Sequence, residues 1–354
     1  MQTDVVTGAF GYSGAAIARE LRAAGHEVRT LTGHPRSGPE ADGIDTRPLD
    51  FTDPEALARD MAGAHTLYCT YWVRFPHGSA TRESAVTNSK ILFDAAKNAG
   101  IERIVYVSIL HADTASPYPY FSGKGRVEQH LAASGVPYAI ARPAILFGSS
   151  TERGVSASVL LNNIAWLLRH LPVFGIGDGG RYRVRPVHVD DLARLLVELG
   201  AREDNVTVDA VGPEAPTFRD MAGAIRTATG SRSLLLPAPG WLMPPLAAVL
   251  GAALHDVLLT REEYESMKAG LADSDAPATG TESLTDWIAR NGDQLGRTYA
   301  NELDRHYRPA PPREHASRGL YKLISRPRAR ANHAGTRTQN RVAGGVSGSG
   351  SGSS

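Results

Sequence analysis

Short apolar runs alternate with amphipathic segments through the first half of the chain. Residues 5–7 are β-branched, and the predicted helix after them places Ile17 and Leu21 on one face before Gly25 ends it. Five more strands are predicted, at residues 27–32, a short run ending at 50, and 66–70, 103–108 and 138–142. Helices are predicted between them, from Pro54 onward, over 79–97 and over 120–133. This alternation predicts right-handed βαβ crossovers and an α/β fold with a doubly wound parallel sheet.

The pattern changes beyond Gly148. It predicts an apolar helix over residues 155–171, a glycine-rich loop over 175–180, a helix capped by Asp190 and a strand near 206–210. Thr217 and Thr260 have the spacing of capping boxes at two later helix starts. We therefore expect a core over residues 1–150, a smaller, mainly helical C-terminal lobe over 151–308 that interleaves with it, and a tail over 309–354.

Charge is distributed unevenly between residues 1–308 and the tail over 309–354. From Pro309 onward there are eight basic residues and one acidic residue, Glu314, so the tail carries +7. The whole chain carries +1, which leaves −6 on residues 1–308 and argues against binding to duplex nucleic acid. The tail ends in a Gly/Ser run and is expected to be disordered, and its arginines could contact an anionic partner.

Several classes of protein are disfavoured by simple counts. Cys69 is the one cysteine, which excludes an intramolecular disulfide and a cysteine metal cluster, and we expect it in the core. The histidines are scattered without metal-ligand spacing, so no metal is expected. No secretory signal is apparent, and the longest uncharged apolar run, Trp241 to Leu254, is too short to span a bilayer. A cytoplasmic protein is expected.

The strongest local motif is a strand followed by three glycines, Gly8, Gly11 and Gly14, and then a helix. Gly8 permits a sharp turn, Gly11 allows a ligand close to the backbone, and Gly14 allows the helix to pack on its strand. The backbone N–H groups and the dipole of the helix N-terminus would favour a pyrophosphate. The alternative is a tight turn that binds no ligand.

A second motif is Tyr120 with Lys124, four residues apart on a predicted helix. Residues with this spacing share a face, and a nearby ammonium would lower the pKa of the phenol from its ordinary value of about 10. Such a phenol suits proton transfer to or from a hydroxyl or carbonyl. The alternative is an ordinary exposed Tyr/Lys pair.

The end of the second strand bears on the choice of dinucleotide. An NAD enzyme usually has an acidic residue about twenty positions after the glycine turn, and none is present here. Gly33 leaves room, while His34 and Arg36 offer positive charge to a 2′-phosphate. NADP is therefore favoured, with NAD as the alternative, unless these residues are simply a solvated basic loop.

These motifs together resemble those of extended and atypical short-chain dehydrogenase/reductases, whose fold is of the Rossmann type. Further matches are Ala141–Gly148 to the family's R-P-x-x-x-[FY]-G segment and Pro186–Ala193 to its H-V-D-D-[LV]-A segment. Residues 70–75, 162–166 and 259–263 resemble bacterial NAD-dependent epimerase/dehydratase proteins and, more distantly, the nucleotide-binding accessory subunit of respiratory complex I. The resemblance covers residues 3–308.

The resemblance also implies roles for residues of this chain. Tyr120 would be the acid/base, and Lys124 its activator and the anchor of the nicotinamide ribose. The cofactor would contact the glycine turn, the ends of strands two to four, and the edge near the nicotinamide, through Gly8, Phe10, Gly11, Tyr12, Gly14, His34, Arg36, Asp50, Phe51, Thr70, Tyr71, Ser108, Lys124 and Pro143. Asp50 and Phe51 would border the adenine, and Ser108 and Pro143 would lie on the nicotinamide side.

One position departs from the family pattern. Leu110 falls where active members place a Ser or Thr hydroxyl beside the tyrosine, and His111 or Thr114 could substitute as a substrate contact. Two hypotheses follow. The first is an NAD(P)-dependent oxidoreductase or epimerase with a small hydroxyl or carbonyl substrate; the second is a cofactor-binding scaffold or redox sensor with weak or lost catalysis. The sequence predicts neither the substrate nor the oligomeric state.

Overall fold

The centre of the molecule is a seven-stranded, fully parallel sheet. The computed structural model describes residues 2–36, 41–149 and 158–307. The strands of the sheet, in the order in which they lie side by side, are β10 (Val206–Ala210), β6 (Tyr138–Pro143), β5 (Arg103–Val107), β4 (Thr66–Cys69), β1 (Thr3–Thr7), β2 (Glu27–Thr32) and β3 (Ile44–Pro48). The predicted doubly wound α/β fold is confirmed.

Strand order reverses at β1, which lies between β2 and β4. In open parallel sheets, ligands bind in the crevice beyond the carboxyl ends of the strands at such a reversal. The glycine turn that follows β1 stands at this point. The topology therefore places the strongest sequence motif where a ligand is expected.

Helices cover both faces of the sheet. The helices of the first half are α1 (Tyr12–Ala23), α2 (Pro54–Met61), α3 (Arg82–Asn98) and α4 (Pro119–Ala133). One core includes Leu57, Leu92 and Val127 from α2, α3 and α4, and buried Cys69 belongs to it as expected. On the opposite face, Ile17 and Leu21 of α1 share a core with Leu192 of a helix from the second half.

The second half completes the sheet and adds a lobe. Its helices are α5 (Val159–His170), α6 (Val189–Gly200), α7 (Phe218–Ala228), α8 (Met243–Leu254), α9 (Arg261–Lys268), α10 (Leu284–Asn291) and α11 (Glu302–Tyr307). Two small parallel pairs accompany them, formed by β7 (Leu146–Phe147) with β9 (Val187–His188), and by β8 (Val173–Gly177) with β11 (Leu234–Ala238). Phe147, Leu161, Met221 and Trp287 belong to the core of this lobe.

Some predicted details were wrong. The expected loop over 175–180 is instead strand β8 followed by a short 3₁₀ turn, because β11 supplies a partner that local sequence does not reveal. The cap of α6 is His188, whose ring nitrogen accepts from the Asp190 N–H at 3.2 Å. Asp190 instead lies in the first turn and pairs with Arg19 at 2.5 Å.

Other local predictions are confirmed. Asp53 caps α2 ahead of Pro54, and Thr260 and Glu263 form a full capping box. Thr217 caps α7, but the capping box is incomplete because the Asp220 side chain bonds the Thr217 hydroxyl and not the Thr217 backbone N–H. The described part of the helix expected over 155–171 begins at Val159, and residues 150–157 and the tail lie outside the described residues.

None of the helices in the described ranges combines the length and apolar character that crossing a bilayer requires. Within the same ranges, no three His, Cys, Asp or Glu residues are grouped so as to hold a metal ion.

Candidate functional site

The glycine turn between β1 and α1 has the geometry of an anion site. Gly8 has a φ of +64°, which L side chains rarely adopt, and its N–H donates to the Leu31 carbonyl at 2.9 Å. A Cβ on Gly14 would lie 2.1 Å from the Gly8 carbonyl oxygen, so only glycine fits there. Gly11 is the N-cap of α1, and no side chain caps the helix. The first N–H groups of α1 are therefore available to a ligand.

Neighbouring strands hold this turn in place. Thr30 on β2 accepts a hydrogen bond from the Ala9 N–H at 3.0 Å and donates to the Val6 carbonyl at 2.9 Å. Thr70, directly after β4, donates from its hydroxyl to the Thr7 carbonyl at 2.7 Å. The turn is thus fixed from both sides before any ligand binds.

Two predicted cofactor residues in the turn direct their side chains away from its open side. Phe10 is buried, and the Tyr12 hydroxyl donates to the Gly148 carbonyl at 3.0 Å. Burial raises the pKa of Tyr12 far above its ordinary value. A cofactor would contact these residues through their backbone.

The other predicted cofactor residues lie at the carboxyl ends of the parallel strands. Gly33 and His34 follow β2, and His34 is exposed, as is Arg36 nearby. A Cβ added to Gly33 would meet nothing within 4 Å, so the space beside it is open. Asp50 is exposed beyond β3, and two hydrogen bonds from Thr52 lower the pKa of its carboxyl.

One aromatic residue follows strand β3 and another follows strand β4. Phe51 packs against Tyr71, with ring centroids 4.7 Å apart. The Tyr71 hydroxyl accepts from the Asn88 side chain at 2.9 Å. Both rings are half-buried and offer an apolar surface, and a role of this pair beside an adenine stays a prediction.

Lys124 is buried at the end of β5. Its ammonium donates to the Val107 carbonyl at 2.8 Å and lies 4.5 Å from the Trp72 ring and 4.6 Å from the Tyr106 ring. Burial lowers the pKa of Lys124 to about 7, although Cys69 and Glu128 oppose the shift. One of its three N–H donors is engaged by the backbone, so the ammonium retains capacity for a further acceptor.

Three buried polar atoms around Lys124 have no partner among the described residues. They are Ser108 Oγ, Tyr106 OH and Trp72 Nε1. Buried polar atoms are nearly always hydrogen-bonded, so such a group calls for an explanation. Ser108 and Pro143 end neighbouring strands β5 and β6, and Ser108 is the residue expected to face a nicotinamide. The chemistry of these atoms fits a polar ligand at this edge.

Tyr120 is half-buried in the first turn of α4, and its ring packs edge-on to Trp72 at 5.6 Å. Its backbone N–H donates to Glu262 of α9 at 2.6 Å, which places a carboxylate at the N-terminus of α4. The Arg82 guanidinium, paired with Glu262 at 2.6 Å, lies over the Tyr120 ring at 5.0 Å. No described residue hydrogen-bonds the phenol itself.

The sequence analysis predicted that the Lys124 ammonium lowers the pKa of Tyr120, and this prediction is wrong. Both residues contact Trp72 on one face of α4, as the spacing predicted. Desolvation nevertheless raises the pKa of Tyr120 to about 12, and the cations that oppose this are Arg74 and Arg82. The reason is that the Lys124 ammonium turns inward to the Val107 carbonyl.

The sequence analysis did not identify the arginine and glutamate residues that surround Tyr120. Arg74 follows β4 and pairs with Glu302 at 2.8 Å and Glu263 at 3.3 Å, while Arg82 begins α3. A cation in the first turn of a helix is unfavourable because it opposes the helix dipole. The position of Arg82 at the start of α3 could therefore have indicated that this residue has an acidic partner. Its glutamate partner lies 180 residues further along the chain, which no local pattern reveals.

The segment after β5 carries the residues that the sequence analysis considered for contact with a substrate. Leu110 is fully buried, and its N–H donates to the Pro143 carbonyl at 3.0 Å. His111 has a φ of +56°, and its ring bonds the Asp273 carbonyl of the C-terminal lobe at 2.7 Å. Thr114 is exposed.

Residues 8–160 match the model of a family described as NAD(P)H-binding. Residues 8–160 are therefore similar to NAD(P)H-binding domains. The match contains the glycine turn, Ser108, Tyr120, Lys124 and Pro143.

Relatives of this chain occur in proteins of different lengths. An uncharacterized protein of Mycobacterium tuberculosis is 31% identical over 223 residues, which are 62% of this chain and 23% of the relative. The 40 kDa subunit of the mitochondrial NADH-ubiquinone oxidoreductase of Neurospora crassa is 25% identical over 221 residues, 61% of this chain and 56% of that subunit. The chain thus spans about a quarter of the mycobacterial relative.

A solved structure supports the fold. The NADPH complex of the NADPH-dependent quinone oxidoreductase of Escherichia coli superposes with a TM-score of 0.64 and 20% identity, covering 81% of this chain and 99% of that one. At this identity the likeness shows a shared fold alone.

Proposed function

We propose that this protein is an NAD(P)H-dependent reductase of a small carbonyl compound, with Tyr120 as the proton donor. The observation that carries the proposal is that three groups suited to binding a dinucleotide lie at the same edge of the sheet. The uncapped N-terminus of α1, the unpartnered Ser108 hydroxyl and the buried Lys124 ammonium all lie at the carboxyl ends of β1 and β5. Tyr120 is linked to them through Trp72.

The residues present fit a nicotinamide dinucleotide. The N–H groups of α1 would hold the pyrophosphate, and Phe51 and Tyr71 would border the adenine. Lys124 would bond the nicotinamide ribose, and Ser108 the nicotinamide side. When bound, the cofactor supplies a hydride or accepts one.

The state of Tyr120 favours the reductive direction. Because its pKa lies near 12, the phenol is protonated at neutral pH and serves as an acid. It would give its proton to the carbonyl oxygen as hydride reaches the carbon, so that the carbonyl becomes an alcohol and Tyr120 is reprotonated from solvent. Arg82 would stabilise the phenolate left behind.

NADP is the cofactor that we favour over NAD. Gly33 leaves open space, and His34 and Arg36 bring positive charge to the end of β2. The E. coli oxidoreductase, whose structure holds NADPH, acts on quinones by its name. A quinone is one carbonyl compound with which to begin a substrate panel.

A cofactor-binding scaffold is the second candidate, and one observation favours it. Leu110 is buried where a hydroxyl would be expected to orient the substrate oxygen. Such a protein would bind the dinucleotide and turn over no substrate.

Nucleotide identification and a turnover assay decide between the two. Mass spectrometry of the purified protein should find NADP(H) or NAD(H), and NADPH oxidation should follow with a panel of quinones, aldehydes and ketones. Nucleotide without any turnover would favour the scaffold. Absence of nucleotide affinity would contradict both.

A further inference from the structure

A reductase built on Tyr120 needs a second group that orients the substrate oxygen. The residue at the expected position of such a hydroxyl is Leu110, which is fully buried. Neither substitute suits the task better, since the His111 ring bonds the Asp273 carbonyl and Thr114 is exposed. The donor for the substrate oxygen must therefore come from another part of the chain.

Arg74 brings a guanidinium next to the turn of helix that carries Tyr120. Glu262 and Glu263 are consecutive residues of α9. The first accepts from the Tyr120 N–H at 2.6 Å, and the second accepts from the Arg74 side chain at 3.3 Å. Trp72, two residues before Arg74, packs edge-on to the Tyr120 ring at 5.6 Å. Arg74 is also the first among the cations that oppose the raised pKa of Tyr120, in keeping with this arrangement.

The Arg74 guanidinium is held in place by its surroundings. It donates to buried Glu302 at 2.8 Å and lies over the Phe75 ring at 4.7 Å. Glu263 is fixed in turn, because it accepts from the N–H and the hydroxyl of Thr260 at 2.9 and 3.0 Å. A cation positioned in advance stabilises charge that develops on a reacting oxygen without a cost of reorganisation.

Arg74 also retains donors for a ligand. An arginine has five N–H groups, and here one bonds Glu302 and one bonds Glu263. The others have no acceptor among the residues that the structure describes, and the side chain is 39% exposed. The Tyr120 hydroxyl has no partner within the same residues. A carbonyl oxygen has two lone pairs, so it can accept from Tyr120 and from Arg74 at once.

Arg82 is placed for a different task. Its side chain is 13% exposed, and it donates to Glu262 at 2.6 Å and to the Arg74 carbonyl at 3.3 Å. Its guanidinium covers the face of the Tyr120 ring. Arg82 therefore acts on the phenol, whereas the more exposed Arg74 is accessible to a substrate.

We propose that Arg74 is a catalytic residue that binds the carbonyl oxygen of the substrate in place of the hydroxyl absent at Leu110. This inference rests on the proposed reductase function. The hydride forms the new C–H bond, the π electron pair of the carbonyl moves to oxygen, and Tyr120 supplies the proton that completes the alcohol. Arg74 keeps its own protons and stabilises the negative charge that develops on the oxygen.

The charges beside Tyr120 also bear on the class of substrate. Two guanidinium groups, of Arg74 and Arg82, face three carboxylates, of Glu262, Glu263 and Glu302. This cluster is therefore negative overall and repels a further carboxylate. It favours a neutral carbonyl compound, such as an aldehyde or a quinone, over a keto acid.

Turnover of Arg74→Gln tests the proposal with NADPH and two probes, 4-nitrobenzaldehyde and menadione. The kcat should fall by about 10²–10³, the usual loss for one donor to a developing oxyanion, with NADPH affinity unchanged. Arg126→Gln is the matched control, because Arg126 is 40% exposed and pairs with Glu83 at 2.7 Å away from this cluster. Wild-type kcat in Arg74→Gln would overturn the proposal.

A second measurement needs no turnover. NADP⁺ has no hydride to give, so a complex with NADP⁺ and 4-nitrobenzaldehyde is stable. Raman difference spectra should show a lower carbonyl stretching frequency in the wild-type complex than in water. Arg74→Gln should lose much of this shift and bind the aldehyde about tenfold or more weakly, whereas Arg74→Lys, which keeps the charge, should lose less.

The two measurements separate Arg74 from the reaction. A shift that depends on Arg74, in a wild type that reduces neither probe, would contradict the reductase and retain the binding role of Arg74. The same carbonyl frequency in the wild type and in Arg74→Gln would overturn the role of Arg74, as would failure of the wild type to bind the aldehyde.

Glu302→Gln distinguishes substrate binding from a structural ion pair. This variant removes a partner of Arg74 but keeps the guanidinium and its contact with Glu263. Its loss of kcat should be much smaller than that of Arg74→Gln, and an equal loss would show that Arg74 acts only through the ion pair. Circular dichroism should show that each variant retains the fold. If Arg74→Gln does not fold, Arg74→Lys provides the test, since it should still have a lower kcat than the wild type.

Discussion

Arg82 lies over the ring of Tyr120, with its guanidinium carbon 5.0 Å from the ring centroid. Glu262 binds both residues, through the Arg82 side chain and the Tyr120 N–H, each at 2.6 Å. A residue of α9 in the C-terminal lobe thus positions a cation on the phenol that we propose as the proton donor. Lys124, the neighbour expected from the sequence, instead bonds the Val107 carbonyl.

The cations that oppose the raised pKa of Tyr120 are Arg74 and then Arg82, so we predict that Arg82 affects this pKa more than Lys124 does. Arg82→Met should raise that pKa further, because the charge that favours phenolate is lost. Lys124→Met should change it much less. NMR of ring-labelled tyrosine, with Tyr120→Phe to assign the signal, measures both shifts. A larger shift in the Lys124 variant would show that the lysine, not Arg82, governs the phenol.

Replacing Tyr120 by Phe tests the proton donor. The ring and its packing on Trp72 remain, while the transferable proton is lost. Turnover should fall by about 10²–10⁴, the usual contribution of one acid/base group, with NADPH affinity unchanged. Steady-state kinetics and a fluorescence titration measure the two quantities. Full turnover in this variant would remove Tyr120 from the mechanism.

Gly11→Val tests the pyrophosphate site. Its Cβ would lie 3.2 Å from the Gly8 carbonyl oxygen, a tight contact, and its methyl groups would add bulk at the N-terminus of α1, where we expect the pyrophosphate. NADPH affinity should drop strongly while the far-ultraviolet circular dichroism is retained. Gly223→Val on α7 is the control, since a Cβ there meets nothing within 4 Å. Equal NADPH affinity in both variants and the wild type would refute the site.

Arg36→Ala tests the preference for NADP. Loss of a charge-assisted contact to the 2′-phosphate should weaken NADPH binding by roughly 1.5–3 kcal/mol and leave NADH nearly unchanged. Gly33→Asp should act in the same direction, because its carboxylate would repel the phosphate and could bond a 2′-hydroxyl. Calorimetric titration with both nucleotides measures the difference. Tighter NADH than NADPH binding by the wild type would contradict the preference.

The burial of Lys124 predicts a pH dependence of stability. Its pKa in the folded protein is about 7, below the ordinary value of 10.5, so the unfolded state binds the extra proton between these two pKa values. The free energy of unfolding should therefore rise with pH from about 7 towards 10. Between about pH 6 and 9.5, the free energy of unfolding of the Lys124→Met variant should rise by roughly 2–4 kcal/mol less than that of the wild type. Urea unfolding measures this, and Lys97→Met, an exposed lysine, should behave like the wild type.

Much of the sheet could be predicted from the sequence because its signals are local. A β-branched run, three glycines and a 3.6-residue period specify β1, the turn and α1 without reference to the rest of the chain. The residues expected near the cofactor follow the ends of successive strands. A parallel sheet brings those ends to one edge, and this holds for any conformation of the loops.

The rest depends on contacts between distant residues. Strand β8 is a strand because β11 pairs with it about 60 residues later. The Tyr120 environment depends on Glu262 and Arg82, and the orientation of Lys124 depends on the carbonyl at the end of β5. Burial and pairing of this kind carry no periodic signal, so spacing alone could not predict the pKa of the phenol.

The pairing of β10 with β6, and the packing of α6 on α1, have a consequence for synthesis on the ribosome. The first 150 residues contain the glycine turn and most of the sheet, yet the edge of β6 and the apolar side of α1 stay uncovered until residues 189–210 emerge. At 5–20 residues per second, the roughly 60 residues between Gly148 and Ala210 take roughly 3–12 s. During that interval the nascent chain exposes an open strand edge, and it would be a substrate for chaperones rather than a finished dinucleotide-binding unit.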